Sequence, residues 1–297
     1  MIIVRIVGGL TSQLHKYAVG RALALRLGTD LKLDLDWFKH LPPTDTPWPY
    51  QLDKFMLVAD VAASHEVRHV RGNPTWNRVV HRVNRQLDHP WLSSREVNIG
   101  TITSGQWAQL TDNVYLFGET AGDVLFRHIR STLLKEFQLR QPLSAKAGQY
   151  AAQMQASAYP VSLHVRRGDF ISNASAAKFH ALTGLDYFHQ ALNVVLCAHP
   201  NAQFFVFSDD PAWVTEHLLP ILPAGSVTVS SLAAEEDFVL MSRCHGNIIC
   251  NSGFSWTAAW LNDAPNRMVV SPSRWLKDEA KNAEFMKTMH CPDWLYI

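Results

Sequence analysis

The sequence predicts an α/β protein of two domains, the second built on a parallel doubly wound sheet, and three observations carry that prediction. The second half alternates β-branched apolar runs with helical patterns, which is how a parallel, doubly wound sheet is written. The first half opens as strand, glycine turn, helix and strand, a βαβ unit. At 297 residues the chain also exceeds the roughly 250 at which one hydrophobic core stops growing. Two domains are therefore expected, residues 1–143 and 144–297.

Ile2 to Ile6 reads as the first strand and runs into Gly8-Gly9. Leu14, Tyr17, Ala18, Arg21, Ala22 and Leu25 then keep helical spacing until Gly28 supplies a stop. Leu31 to Leu35 is the next strand, and Pro42 to Pro49 is a loop. Within residues 60–112 one helical stripe stands out, Trp76, Val79, Val80, Val83 and Leu87, with Arg78, Arg82 and Arg85 on its other side. Asn113 to Phe117 reads as a strand and Asp123 to Phe137 as a helix. Leu139 to Ser144 reads as a linker, with a helix from Ser144 to about Ser157. Strands then follow at Val161 to Val165, Gln203 to Phe207, Val227 to Ser230, Asn247 to Cys250 and Arg267 to Val270. Helices near Tyr187 to Cys197, Pro211 to Leu219, Glu235 to Arg243 and Phe254 to Leu261 separate them.

Composition narrows the function classes. The 27 basic and 26 acidic residues leave a net charge of +1, so no overall field attracts nucleic acid, and an anion site has to be local. The four cysteines lack CxxC spacing and read as buried reduced thiols, and the 14 histidines lack HExxH spacing, so no zinc site is expected. No signal peptide or transmembrane run is seen, which points to a cytoplasmic protein.

Ligands on doubly wound sheets bind beyond the carboxyl ends of the strands, and three polar clusters stand at such ends. In Val161 to Asp169 an apolar run stops at Arg166, Arg167, Gly168 and Asp169. The two planar forks suit phosphate oxygens, and Asp169 can orient an arginine or take a proton; the plainer alternative is a strand end with a surface Arg–Asp pair. Asp209 and Asp210 either accept from a purine edge or ribose hydroxyls, or simply start a helix at Pro211. Asn251, Ser252, Gly253, Phe254 and Ser255 precede an apolar helix and either cap it or hold a phosphate at its positive end. Asp34-Leu-Asp36 has the form of a metal-binding pair, but its alternation also fits a half-buried strand, the favoured reading.

Together these segments resemble the bacterial α-1,2-fucosyltransferases, inverting enzymes that use GDP-fucose. His164-Val-Arg-Arg-Gly-Asp169 matches their HxRRGD segment, and Phe207-Ser-Asp-Asp210 with Trp213 is similar to FSDD-xx-W. Asp237 to Cys244 and Asn251 to Trp256, with Ala259 to Leu261, resemble a third block, and Gly8-Gly-Leu, Gln13, Tyr17 and Ala18 resemble a GGLGNQMFQYA opening. Thr11-Ser12 stand where the family usually has Gly-Asn, Gly246 where a histidine is common, and Thr257 replaces a second tryptophan. Around Glu119 the likeness fades.

The resemblance implies a GT-B-like fold, two Rossmann-type domains facing a central cleft, with GDP held mainly by the C-terminal one. It implies fucose transfer from GDP-β-L-fucose to the O2 hydroxyl of a terminal galactoside on an O-antigen or lipid-linked glycan, without metal or other cofactor. Arg166, Arg167, Asp209, Asp210, Asn251, Ser252, Phe254 and Ser255 are the expected donor contacts, joined by Gly8, Gly9 and Gln13. Asp169 is the first choice for a base, with His164, Glu119 and Asp36 behind it. Arg78, Arg82 and Arg85 are expected to make any peripheral contact with the inner membrane. A transferase of another GDP-sugar and a non-catalytic nucleotide-sugar binder are the alternatives.

Overall fold

The computed structural model describes residues 1–40, 47–84, 95–168, 171 and 174–297. It divides into two compact units, Met1–Gln138 and Leu139–Ile297.

Each unit is built on one parallel sheet. In the first, β1 (Ile2–Arg5), β2 (Leu31–Asp34), β3 (Asp60–Val61), β4 (Glu96–Asn98) and β5 (Val114–Phe117) lie in the order β3-β2-β1-β5-β4. Val4 sits opposite Leu33 on one side and Leu116 on the other, so the core of β1 is apolar on both flanks. The helix Leu10–Leu27 returns the chain from β1 to β2 and ends at Gly28, whose φ of 62° is the left-handed conformation a helix stop requires. Halfway along it, a β-carbon on Gly20 would fall 2.8 Å from Leu31 Cδ1 and 3.1 Å from Val4 Cγ1. Absence of a side chain there lets the helix lie directly on β1 and β2.

The second unit has β6 (Tyr159–Val165), β7 (Ala202–Ser208), β8 (Val227–Thr228), β9 (Gly246–Ile248), β10 (Met268–Ser271) and β11 (Leu295–Tyr296), in the order β11-β10-β9-β6-β7-β8. β6 is buried along all seven residues because sheet neighbours and helices cover it on every side. Val161, Leu163 and Val165 join Phe204 and Val206 of β7 and Phe188, Ala191 and Leu192 of the helix Leu185–Ala198 in one core. Strand order reverses between β6 and β9 here, and between β1 and β5 in the first unit. Those two switch points are where each sheet opens a crevice for ligands.

Several sequence expectations are corrected by the fold. The stripe on the helix Pro74–Asn84 does not form the buried face: Val80 and Asn77 are buried, whereas Trp76 and Val79 are exposed. Arg78 and Arg82 are exposed on it, and Leu87 and Arg85 lie outside the described residues. Asp123 to Phe137 is two pieces, a short 3₁₀ turn Arg127–Ile129 and a helix Arg130–Glu136, because the segment enters through a hydrogen-bonded turn at Asp123. The stretch after Pro211 passes from one α-turn into a π-turn, Val214–Leu218, so helical spacing is lost there. Cys197 is exposed while Cys244, Cys250 and Cys291 are buried, and all four are free thiols. No described helix is long and apolar enough to cross a membrane.

Candidate functional site

At the switch point of the second unit β6 ends, and Arg166, Arg167 and Gly168 follow. Their geometry is set from the neighbouring strand. Asp209, just after β7, accepts from the backbone N–H of Arg167 at 2.9 Å and of Gly168 at 3.1 Å, and its Oδ2 lies 3.1 Å from Arg166 Nη1. Asp210 accepts from the N–H of Trp213 at 3.1 Å through one oxygen and from Arg167 Nε at 3.3 Å through the other. The Arg167 guanidinium also lies 4.3 Å above the Trp213 ring, which fixes the plane of its fork. A β-carbon on Gly168 would fall 2.8 Å from Asp209 Oδ2, so any side chain there would push that carboxylate aside. Arg166 and Arg167 keep 26% and 18% of their side-chain surface exposed. The result is two preset cationic forks at a crevice.

For the two aspartates the sequence leaves open a reader of a base or a helix start. In the structure Asp210 is the helix start and an arginine holder, and Asp209 holds the loop backbone. Asp169 lies outside the described residues. His164 is buried at the end of β6, with Nδ1 3.2 Å from Cys250 Sγ and its ring 5.7 Å from that of Phe254. Burial, aided by the Arg166 charge, lowers its pKa to about 3, so it is a neutral support beneath the loop. Cys250 is pushed up to about 12 by the same burial and stays a thiol.

Ser252 caps the helix Gly253–Leu261 through its hydroxyl, which accepts from the Phe254 N–H at 3.3 Å. Ser255 is buried and donates to the Ser252 carbonyl. Asn251 faces inward: its amide donates to the carbonyls of Ala181 and Trp275, and its oxygen accepts from Thr183. Tyr187, on the helix Leu185–Ala198, donates to the Ile249 and Val270 carbonyls and so braces the ends of β9 and β10. Sequence reasoning misses Thr183 and Tyr187, whose only signal is a polar atom on an otherwise apolar face.

The first unit has its own cluster at the equivalent place. Gly8 turns the chain after β1 with a φ of 79°. Gln13, fully buried, donates to the carbonyls of Gly8 and Pro49 at 2.8 Å each and accepts from the Gln51 N–H, so it shapes the loop from inside. Beside it Lys16 Nζ lies 2.5 Å from Glu119 Oε2 and 2.5 Å from Ser12 Oγ, and Ser12 donates to the same Glu119 oxygen at 2.9 Å. Burial lowers the Lys16 pKa and Glu119 raises it. Asp34 is buried, taking hydrogen bonds from Tyr115 Oη at 2.6 Å and from the Asp36 N–H at 3.0 Å, while Asp36 lies beyond the strand. The alternation expected of Asp34 and Asp36 therefore fails, because Asp34 points into the core.

Residues 96–297 match the profile of Glycosyl transferase family 11. The chain belongs to that family. Over 294 residues this family 11 protein is 28% identical to the O-antigen biosynthesis glycosyltransferase WbnK of Escherichia coli, covering 93% of this chain and 95% of that one. It is 27% identical over 288 residues to an alpha-1,2-colitosyltransferase of the same organism, with 95% of each covered. To galactoside alpha-(1,2)-fucosyltransferase 1 of Homo sapiens it is 25% identical over 223 residues, 70% of this chain and 58% of the human one. Among solved structures it resembles the NodZ alpha-1,6-fucosyltransferase co-crystallised with GDP, with a TM-score of 0.54, 14% identity and coverage of 88% and 92%. It also resembles POFUT1 in complex with GDP-fucose, with a TM-score of 0.51, 12% identity and coverage of 91% and 96%. The fold is GT-B-like.

Proposed function

We propose that the protein transfers L-fucose from GDP-β-L-fucose, with inversion, to the O2 hydroxyl of a terminal β-galactoside on an O-antigen-type or lipid-linked glycan. The observation that carries this reading is the pair of preset forks, Arg166 and Arg167, at the switch point of a family 11 chain. Two guanidiniums at the end of one strand neutralise the charge that grows on a departing pyrophosphate, and preorganised stabilisation of this kind supplies the greater part of rate acceleration in many enzymes. The helix start at Ser252 to Ser255, with Phe254, adds backbone dipole of the same sign. Asp209 and Asp210 serve the donor through the arginines they hold, and Gly8, Gly9 and Gln13 shape the loop of the first unit.

Charge compensation from these side chains makes a divalent ion unnecessary, and turnover should persist in excess EDTA. Arg78 and Arg82, exposed beside Trp76 and Val79, fit a peripheral contact with an anionic membrane that presents the acceptor.

A second donor is favoured by the likeness to an alpha-1,2-colitosyltransferase, since colitose is L-fucose without its 3-hydroxyl. Incubation with GDP-fucose, a GDP-sugar lacking that hydroxyl and a panel of β-galactosides, read by product mass, separates the two. Transfer of fucose to galactose supports the first reading, and transfer of only the deoxy sugar replaces it. GDP binding without any product leaves a nucleotide-sugar binder.

A further inference from the structure

We propose that the first unit receives the phosphate of an anionic lipid headgroup in a cavity at the start of the helix Pro74–Asn84, an assignment that deepens the membrane reading above and rests on it. The cavity, of about 590 Å³, is enclosed within this unit. Arg71 ends the helix Ser64–Arg71 on one side of it, while Arg95 leads into β4 and Asn113 into β5 on the other. It therefore lies at the amino ends of β4 and β5, on the edge of the sheet that β4 forms. Occupancy there leaves the carboxyl ends of the same strands open.

The cavity wall carries more positive charge than its own acid answers. Arg71 is held by one edge: its Nε lies 2.6 Å from Glu96 Oε1 and its guanidinium 4.8 Å from the centre of the Tyr115 ring, which together fix the plane of the fork. Neither of its terminal nitrogens bonds a described residue. Arg95 is exposed and tethered, among the described residues, only by a 3.5 Å contact from Nη1 to the His69 carbonyl. The acid on the wall, Asp112, is already matched, since it accepts from the amino group of Met1 and from Thr29 Oγ1 at 3.1 Å. Two guanidinium forks over a neutralised carboxylate suit the oxygens of a phosphate.

The surface beside the cavity points to a lipid as the source of that phosphate. Trp76 lines the cavity and is 51% exposed, and Val79, one turn further along the helix, is 45% exposed. Asn73 accepts from the backbone N–H of Thr75 at 2.8 Å and of Trp76 at 3.3 Å, so the tryptophan is fixed at the helix start. The same helix turns Asn77 and Val80 inward and presents Arg78 and Arg82. Apolar anchors flanked by arginines are the mark of a helix that lies in a membrane interface. A soluble phosphate would use the two forks and leave Trp76 and Val79 without a part. A headgroup engages all of them, because its phosphate enters the cavity while the indole and the valine sink into the acyl boundary.

The test floats the full chain on vesicles of phosphatidylcholine alone and of phosphatidylcholine mixed with an equal amount of phosphatidylglycerol, at one ionic strength. Binding to the mixed vesicles should be at least about tenfold tighter than to the neutral ones. Arg78→Gln and Arg82→Gln each remove one charge from the approaching face and should weaken it about fivefold, and Trp76→Ser about tenfold. The deciding variant is Arg95→Lys, which keeps the charge and loses the fork: a headgroup site expects a loss of about fivefold, whereas a diffuse basic field expects none. Glycerol phosphate should compete with the mixed vesicles. An Arg95→Lys protein that floats as the wild type does overturns the headgroup site while the membrane contact stands, and a wild type that ignores both vesicles overturns the contact as well. Glycerol phosphate bound by a protein that does not float overturns the lipid in favour of a soluble phosphate. Sugar transfer to a soluble β-galactoside should stay within about twofold in Arg95→Lys, and a wild type that floats without transferring sugar overturns the transferase reading alone.

Discussion

At the end of β6 two half-buried arginines pair with aspartates at least as exposed as themselves, 26% against 26% and 18% against 28%, while at the end of β1 a lysine is buried and the glutamate it holds reaches solvent. Ion pairs of the same kind, at the same topological position, share their exposure in the second unit and divide it unequally in the first. In the second unit both partners of each pair stay partly open; in the first only the carboxylate does. Buried ion pairs add little net stability because desolvation offsets their attraction, so the direction in which each pair faces is the informative feature.

The comparison breaks most directly at the arginines. Arg166→Ala combined with Arg167→Ala removes two charge-assisted contacts, each worth about 1.5 to 3 kcal/mol, and turnover should fall by on the order of a thousandfold. Replacement by lysine should recover only part, because a point charge does not reproduce the fork. Wild-type kcat/KM in a folded double mutant would remove phosphate recognition from this loop.

An ion pair away from either switch point sharpens the contrast. Arg21 Nη2 lies 2.8 Å from Glu136 Oε1, and Tyr17 donates to the same carboxylate, all inside the first unit. Glu136→Ala takes the acceptor from a guanidinium and from a phenolic O–H in the interior, and should cost about 3 kcal/mol in denaturant unfolding. Its effect on kcat at a temperature where the protein is folded should be under threefold. A large kcat defect there would mean that location at the switch point is not what separates chemistry from scaffolding.

Asp209 and Asp210 give a smaller and more diagnostic effect. Asp209→Ala removes an acceptor from two backbone N–H groups and from Arg166, and should weaken GDP about tenfold, with a smaller loss in Asp210→Ala. Because neither carboxylate faces outward alone, UDP should weaken by the same factor. A change in the ratio of GDP to UDP affinity, measured by calorimetry, would return these residues to base recognition.

Legibility of the sequence follows the same division. β6 and β7 are buried on both faces and read as apolar runs, so the second sheet and its loop residues can be placed from sequence. β3 is two exposed residues and β4 is three half-buried ones, too short to show any period, which is why residues 60–112 are opaque. Lys16 escapes notice because the helix Leu10–Leu27 is buried around most of its circumference, so its polar residues carry no facing pattern. What can find it is the oddity itself, a lysine between Leu14 and Tyr17 in a helix with no polar side. The roles of Asp209 and Asp210 require coordinates, since only a fold shows which arginine a carboxylate meets.

The smallest effect is a pH dependence that both units share. His15 lies next to Lys16 and His164 two residues before Arg166, and each is held neutral by burial first and by that neighbouring cation second. Their pKa values fall to about 4 and about 3, from an unfolded value near 6.5. With the folded value depressed, the unfolded chain takes the proton first. Stability is therefore full above about pH 7.5 and is lost progressively as pH falls through about 6.5 toward those folded values. From about pH 7.5 to about pH 6 each histidine should lower the unfolding free energy by about 0.8 kcal/mol. His15→Gln and His164→Gln should each remove about half of that slope in urea titrations, whatever their cost at neutral pH. Lys16→Met should raise the folded pKa of His15 and leave His164 unmoved, with Arg166→Ala doing the converse, both read from ring proton shifts. If either substitution moves both histidines equally, the two switch points are not electrostatically separate sites.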